Sequence, residues 1–158
     1  MNTAYVALGA NLGDPRATVL AAFAALANLP ESRVARCSSL YRTAPVGILD
    51  QPDFVNAVAV LETSLTADAL LDALLDIEAR FGRIRRERNG PRTLDLDLLL
   101  YDDIELDLPH LTLPHPRLHL RAFVLLPLAE VAPDLAIPRR GSLAAWLPAV
   151  ANQGIVRL

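Results

Sequence analysis

The chain has 158 residues, 53% hydrophobic and 21% charged, the length of one compact domain and too apolar for disorder. Its 18 acidic residues against 15 basic ones leave a net charge of −3, without the positive field of a general nucleic-acid or acidic-membrane binder. All 15 basic residues are arginine and the one cysteine is Cys37, which excludes a Walker A phosphate loop, a Schiff-base lysine, an intrachain disulfide and a cysteine-rich zinc site.

Residues Ala4 to Leu8 read as a short buried strand, closed by the loop Gly9 to Gly13. Asp14-Pro15 then sets an N-cap and a first helical position, and Val19, Phe23, Leu26 and Ala27 recur at helical spacing until Pro30. Arg33 to Arg42 is expected to be extended, Ala44 to Pro52 a loop, and Phe54 to Leu61 a strand. Thr66 caps a second helix with Leu70, Leu71, Leu74, Leu75 and Phe81 on one stripe and Gly82 as its stop. After a polar loop from Arg83 to Arg92, Thr93 to Tyr101 alternates as a strand, with Leu94, Leu96 and Leu98 on one face. A helix bent at Pro127 is expected over Ala122 to Val131, and a short terminal one over Leu143 to Val150. The order β-α-β-β-α-β plus a C-terminal extension predicts an α+β fold, a ferredoxin-like antiparallel sheet flanked by helices, as one domain over 1–158. The N-terminus lacks a basic n-region and no segment approaches ~18 uninterrupted apolar residues, so a cytoplasmic protein without a membrane partner is expected. No exposed apolar stripe argues against a monomer.

The sharpest feature is Arg88-Asn89-Gly90-Pro91-Arg92-Thr93-Leu94-Asp95-Leu96-Asp97-Leu98-Leu99. Residues two apart on a strand share a face, so Asp95 and Asp97 project together, their Cα atoms roughly 6.5–7 Å apart. Such carboxylates repel unless a cation lies between them, and Mg²⁺ suits one or two carboxylates completed by water and phosphate oxygens. An isolated Asp-x-Asp is ordinarily a solvated strand face. Here, however, Arg83, Arg85, Arg86, Arg88 and Arg92 lie in the ten-residue loop before it, a third of all the arginine. Guanidinium for phosphate beside carboxylates for Mg²⁺ is what phosphoryl transfer requires. The Gly90-Pro91 turn aims Arg92 back at the strand, whereas Arg85 and Arg86 fit a solvated charge run equally well.

Glu78 sits at the edge of the second helix's stripe, either as a partner to an arginine or facing a nucleotide one turn before the arginine loop. Zinc is set aside for His110, His115 and His119, because His115 between Pro114 and Pro116 cannot share a regular helix face with His119. A histidine so fixed suits a hydrogen bond to phosphate. Phe54 and Phe123 read as core by default. Asn56 shares the strand face of Phe54, and an amide beside an aromatic can recognise the edge of a flat heterocycle.

With these motifs the chain resembles the 6-hydroxymethyl-7,8-dihydropterin pyrophosphokinase family of folate synthesis, from about Tyr5 to about Pro138. Arg88 to Leu99 resembles the family signature at every fixed position. Ala7 to Gly13, Leu40 to Pro45, Gln51 to Asn56, Leu113 to Arg117 and Arg121 to Leu125 support it. The resemblance implies transfer of the pyrophosphoryl unit of ATP, as co-substrate, to the pterin's hydroxymethyl oxygen, with AMP released. It implies two Mg²⁺ ions on Asp95 and Asp97, with Arg83 and Arg92 stabilising the moving phosphates. The sequence leaves the general base unnamed, Asp97 being near enough for the role and a metal-bound hydroxyl needing no strong base. Glu78, Leu98, Thr112, His115 and Arg121 fall on the nucleotide side. Thr43, Val46, Phe54, Asn56 and Phe123 fall around the pterin, and the 44–52 and 83–92 loops act as lids. Some members carry Trp where this chain has Asn89, Tyr where it has Pro116, and Arg where it has His110.

Two other readings use the same residues. One is a metal-dependent phosphohydrolase without a pterin acceptor. The other is a ferredoxin-like module that binds a small ligand and catalyses nothing, which leaves the five arginines before the carboxylates unexplained.

Overall fold

The computed structural model describes residues 1–45, 50–82 and 93–158. Among the described residues, ten strands and three α-helices follow in the order β1 (Asn2–Ala10), α1 (Pro15–Ala27), β2 (Ser32–Cys37), β3 (Tyr41–Thr43), β4 (Phe54–Thr63), α2 (Ala67–Arg80), β5 (Asp95–Tyr101), β6 (Leu106–Leu108), β7 (Leu111–Leu113), α3 (Ala122–Val131), β8 (Ala136–Ile137), β9 (Gly141–Ser142) and β10 (Ile155–Arg157). Short 3-10 turns lie at Leu118–Leu120, Leu143–Trp146 and Pro148–Val150. The main sheet is antiparallel in the order β10-β3-β4-β1-β5, and β2 also pairs with β4, so this is a mixed helix and antiparallel-sheet fold.

The central strands are covered on both faces, which is why β1 and β4 are almost wholly apolar. On one face α1 and α2 pack Val19, Leu26, Leu70, Leu74 and Ile77 against Val6, Leu8, Ala57 and Leu96. On the other, α3 packs Val124, Leu125 and Leu128 against Val58, Val60 and Leu100. The helix ends follow local chemistry. Asp14 Oδ1 accepts from the Ala17 N–H at 3.1 Å to start α1, and Thr66 Oγ1 accepts from the Ala69 N–H at 3.1 Å to start α2. Gly82, at φ +75°, takes the left-handed conformation just past α2.

Four details differ from the expectations. Arg33 to Arg42 is two strands, because Ser38 breaks the ladder: its N–H donates to the Val58 carbonyl, while its Oγ, rather than a main-chain oxygen, accepts from the Val58 N–H. Leu75 is exposed, since the buried stripe of α2 runs Leu70, Leu74, Ile77, Glu78 and leaves Leu75 to one side. Leu143 to Val150 forms two 3-10 turns instead of one helix, with Pro148 unable to donate across the junction. Finally, β5 carries a bulge: Val6 faces Leu98 but Tyr5 faces Leu100, so Leu99 is the extra residue. The bulge turns both Leu99 and Leu100 toward α3.

Candidate active site

The strand register assembles the site. Asn56 on β4 faces Gly9 on β1, and Gly9 faces Asp95 on β5; Tyr41 on β3 continues the row beyond Asn56. In the next row Val58 faces Ala7 and Ala7 faces Asp97. Phe54 faces Thr43 on the opposite side of Asn56. Partners across a ladder share a sheet face, so Thr43, Phe54, Asn56, Asp95 and Asp97 all stand on the face that carries α3. The two aspartates are half-buried, and the residues directly opposite them, Gly9 and Ala7, are too small to cover them.

Asn56 is buried, and its Nδ2 donates to Thr43 Oγ1 at 2.7 Å. Its Oδ1 lies over Gly9: a Cβ built there would stand 2.6 Å from that oxygen, inside any permitted contact. Gly9 is therefore glycine because of the side chain on the next strand. Asn11, also buried, donates from Nδ2 to Gln51 Oε1 and to the Pro52 carbonyl, both at 2.9 Å, tying the turn after β1 to the segment that enters β4. The sequence alone assigns no role to Gly9 or Asn11, although both belong to the glycine-containing loop after the first strand.

His115 is held through the bulge. Its N–H donates to the Leu99 carbonyl at 2.9 Å, and its Nδ1 accepts from the Arg117 N–H at 3.2 Å. With Nδ1 an acceptor, the neutral ring carries its proton on Nε2. Burial lowers the His115 pKa below 6.5, opposed by the nearby Asp97 charge and assisted by Arg121, so the ring is a neutral donor at pH 7. Arg121 precedes α3 directly, with its guanidinium 5.3 Å from the Phe123 ring centroid.

Glu78 is not at the edge of its helix stripe but inside it, 3% exposed, and its Oε2 accepts from the Leu96 N–H at 2.7 Å. Leu96 lies between the two aspartates on the edge strand of the sheet, so the end of α2 is fastened to the strand that bears them. Leu98 turns its side chain into the α1–α2 core, and Thr112 is half-buried on β7. His110 Nε2 lies 2.8 Å from Asp68 Oδ1 on α2. Val46, Arg83, Arg92 and the other arginines of the 83–92 loop lie outside the described residues.

The donor set is oxygen-rich. Among the described residues no cluster of three or more His, Cys, Asp or Glu could hold a metal by itself. Two carboxylates on one face, with small residues opposite and a neutral imidazole donor beside them, suit a hard divalent cation that arrives with a phosphate ligand. A half-buried phenylalanine, Phe54, two residues from the buried Asn56 amide on the same strand face suits a flat, polar-edged molecule.

Residues 5–133 match the family model described as 7,8-dihydro-6-hydroxymethylpterin-pyrophosphokinase. The 2-amino-4-hydroxy-6-hydroxymethyldihydropteridine pyrophosphokinase of Pseudomonas aeruginosa is 52% identical over 154 residues, 98% of this chain and 95% of that protein. The protein of the same name from Haemophilus influenzae is 43% identical over 158 residues, covering 100% and 99%. Among solved structures, Plasmodium falciparum HPPK-DHPS wild type with pteroate superposes with a TM-score of 0.75 at 14% identity over 93% of this chain. The chain spans 42% of that longer one, and at this identity the likeness speaks for the fold.

Proposed function

Because the chain belongs to the 7,8-dihydro-6-hydroxymethylpterin-pyrophosphokinase family, it transfers the pyrophosphoryl group of ATP to 6-hydroxymethyl-7,8-dihydropterin in folate biosynthesis, and we propose that the residues facing one another across β3, β4, β1 and β5 carry that reaction. The observation that carries the proposal is the row Asn56–Gly9–Asp95, in which a buried amide and a half-buried carboxylate share one sheet face with only a glycine between them.

Asp95 and Asp97 hold two Mg²⁺ ions, for which their oxygen donors and uncovered face are suited. Bound there, Mg²⁺ supplies charge neutralisation across the triphosphate. The pterin lies between Phe54 and Phe123, its edge read by Asn56, Thr43 and the main chain at Val46. Thr43 Oγ1 and Asn56 Nδ2 already bond each other at 2.7 Å, so the amide meets the pterin in a preset orientation. His115 donates Nε2–H to a phosphate oxygen. Arg121, Arg83 and Arg92 stabilise charge on the moving phosphates. On the nucleotide side, Leu98 contributes its main chain from β5 and Thr112 its side chain from β7. Glu78 faces the nucleotide side through the edge of β5, where its carboxylate keeps the strand between the aspartates in place. In the chemical step the hydroxymethyl oxygen bonds to the β-phosphorus, the bond from that phosphorus to the α-phosphate oxygen breaks, and AMP departs. In this reading Asp97 takes the hydroxyl proton.

We read the sheet as ferredoxin-like, on the antiparallel order β5-β1-β4-β2 in a β-α-β-β-α-β chain, with the turns and β10 after α3 as a C-terminal extension of one domain. A cytoplasmic monomer that takes small molecules rather than nucleic acid or membrane fits the ATP co-substrate and the net charge of −3. Pterin binding with and without Mg²⁺ and a non-hydrolysable ATP analogue tests the assignment. Tight pterin binding that requires the analogue is expected; binding of the analogue with no pterin binding would favour a phosphohydrolase.

A further inference from the structure

Gln153 lies between the last 3-10 turn and β10, beyond residue 133 where the family match ends. Its side chain makes two bonds to the backbone at the start of α3. Oε1 accepts from the Ala122 N–H at 2.9 Å, and Nε2 donates to the Leu120 carbonyl at 3.0 Å. One amide thus closes a ring across Leu120, Arg121 and Ala122. The helix needs such a partner, because Arg121 at its N-cap makes no side-chain capping bond and the first N–H of a helix has no acceptor of its own.

A cap alone requires only an acceptor. The second bond, from Nε2, also fixes the carbonyl before Arg121, and so holds the extended backbone of Arg121 (φ −123°, ψ 118°) from both sides. That backbone decides where two side chains point: that of Arg121 itself, which acts on His115, and that of Phe123 two residues on, whose ring lies under the Arg121 guanidinium. The residues following Gln153 are fixed to the other side of the site. The Ala44 N–H donates to the Gly154 carbonyl at 3.4 Å, and Ile155 faces Thr43 in the β10–β3 ladder. Gln153 therefore bridges the strand bearing Thr43 and the helix start bearing Phe123.

We propose that Gln153 is a positioning residue for the pterin site, fixing Phe123 relative to the Thr43–Asn56 pair. This rests on the reading of Thr43, Asn56 and Phe123 as pterin residues, so the test includes Phe123 itself. Full-length Gln153→Ala, Gln153→Glu, Phe123→Ala and Gln153→Ala/Phe123→Ala are titrated with pterin in the presence of Mg²⁺ and a non-hydrolysable ATP analogue, well below each variant's melting temperature. Gln153→Ala is expected to weaken pterin roughly ten-fold, the size of one or two net hydrogen bonds, with KM rising more than kcat falls. Gln153→Glu keeps the acceptor for Ala122 and falls between. The double variant binds pterin no more weakly than Phe123→Ala, because the two residues act through one contact. If Gln153→Ala lowers only the melting temperature while Phe123→Ala weakens pterin, Gln153 is a structural cap and the proposal fails, but the site stands. If Phe123→Ala leaves pterin binding unchanged, the site assignment fails and the proposal with it. Should Gln153→Ala not fold, Gln153→Glu replaces it in the same cycle, with the same two outcomes deciding against the proposal.

Discussion

Two carboxylates side by side on one strand repel each other. Asp95→Ala or Asp97→Ala is therefore expected to abolish AMP formation while the metal-free protein melts at the same temperature or higher, since each removes a repulsion. Calorimetry without Mg²⁺ beside a turnover assay checks both halves. A large loss of metal-free stability with activity per folded molecule intact would make the pair structural. Gly9→Ala tests the neighbouring contact. Its methyl would meet Asn56 Oδ1 at 2.6 Å and push the amide away from Thr43. Pterin binding should weaken roughly ten-fold or more, with a stability cost of about 1–3 kcal/mol. Unchanged pterin affinity in a folded Gly9→Ala protein would argue against Asn56 as the pterin's edge reader. The aspartate pair was legible because a period of two is a local property of one strand. The role of Gly9 was not, because it depends on which residue of β4 lies across from it, and register is a non-local outcome.

Element boundaries were readable wherever a side chain announces them: Asp14-Pro15 and Thr66 open α1 and α2, and α3 spans Ala122 to Val131 as its apolar run suggests. Elements shaped by a side chain standing in for main chain were not readable. The Ser38 break between β2 and β3 is one such case, and the Glu78 contact with Leu96 is another, as α2 and β5 meet only in the folded sheet. That contact yields a prediction. Glu78→Ala leaves the Leu96 N–H without its acceptor and should cost about 1–3 kcal/mol, whereas Glu78→Gln retains an acceptor oxygen and should lose much less. Chemical denaturation of both variants checks the order. Equal losses would mean that the negative charge, rather than the bond to β5, is what the position requires.

Over the whole molecule, the C-terminal residues return to the sheet and bind it to α3. Glu130 near the end of α3 accepts from the Ser39 N–H and Oγ, from the Tyr41 hydroxyl at 2.8 Å and from Arg157 at 3.1 Å. Burial pushes this carboxyl up, but the donors from Tyr41 and Ser39 and the Arg157 charge outweigh it and hold it below the ordinary 4.5. Burial, then Glu130, pushes the Tyr41 hydroxyl up to about 12, so it remains a donor at neutral pH. A carboxyl whose folded pKa lies below its unfolded one stabilises the fold above the unfolded value and ceases to do so as pH falls through the folded one. Stability should therefore decline on acidification below about pH 4.5, and less steeply in Glu130→Gln. Melting curves across that range check this, and parallel slopes for the two proteins would mean that Glu130 is not the group responsible. This closure was not legible beforehand: β10 has three residues, its partner β3 has three, and more than a hundred residues separate them.

The pyrophosphokinase site stands or falls on AMP release from Mg²⁺·ATP with and without 6-hydroxymethyl-7,8-dihydropterin, measured alongside Asp97→Ala. AMP and pterin diphosphate are expected in equal amounts, with no AMP when the pterin is left out and neither product from Asp97→Ala. AMP or inorganic phosphate formed at the same rate without the pterin, or full turnover by Asp97→Ala, would contradict it.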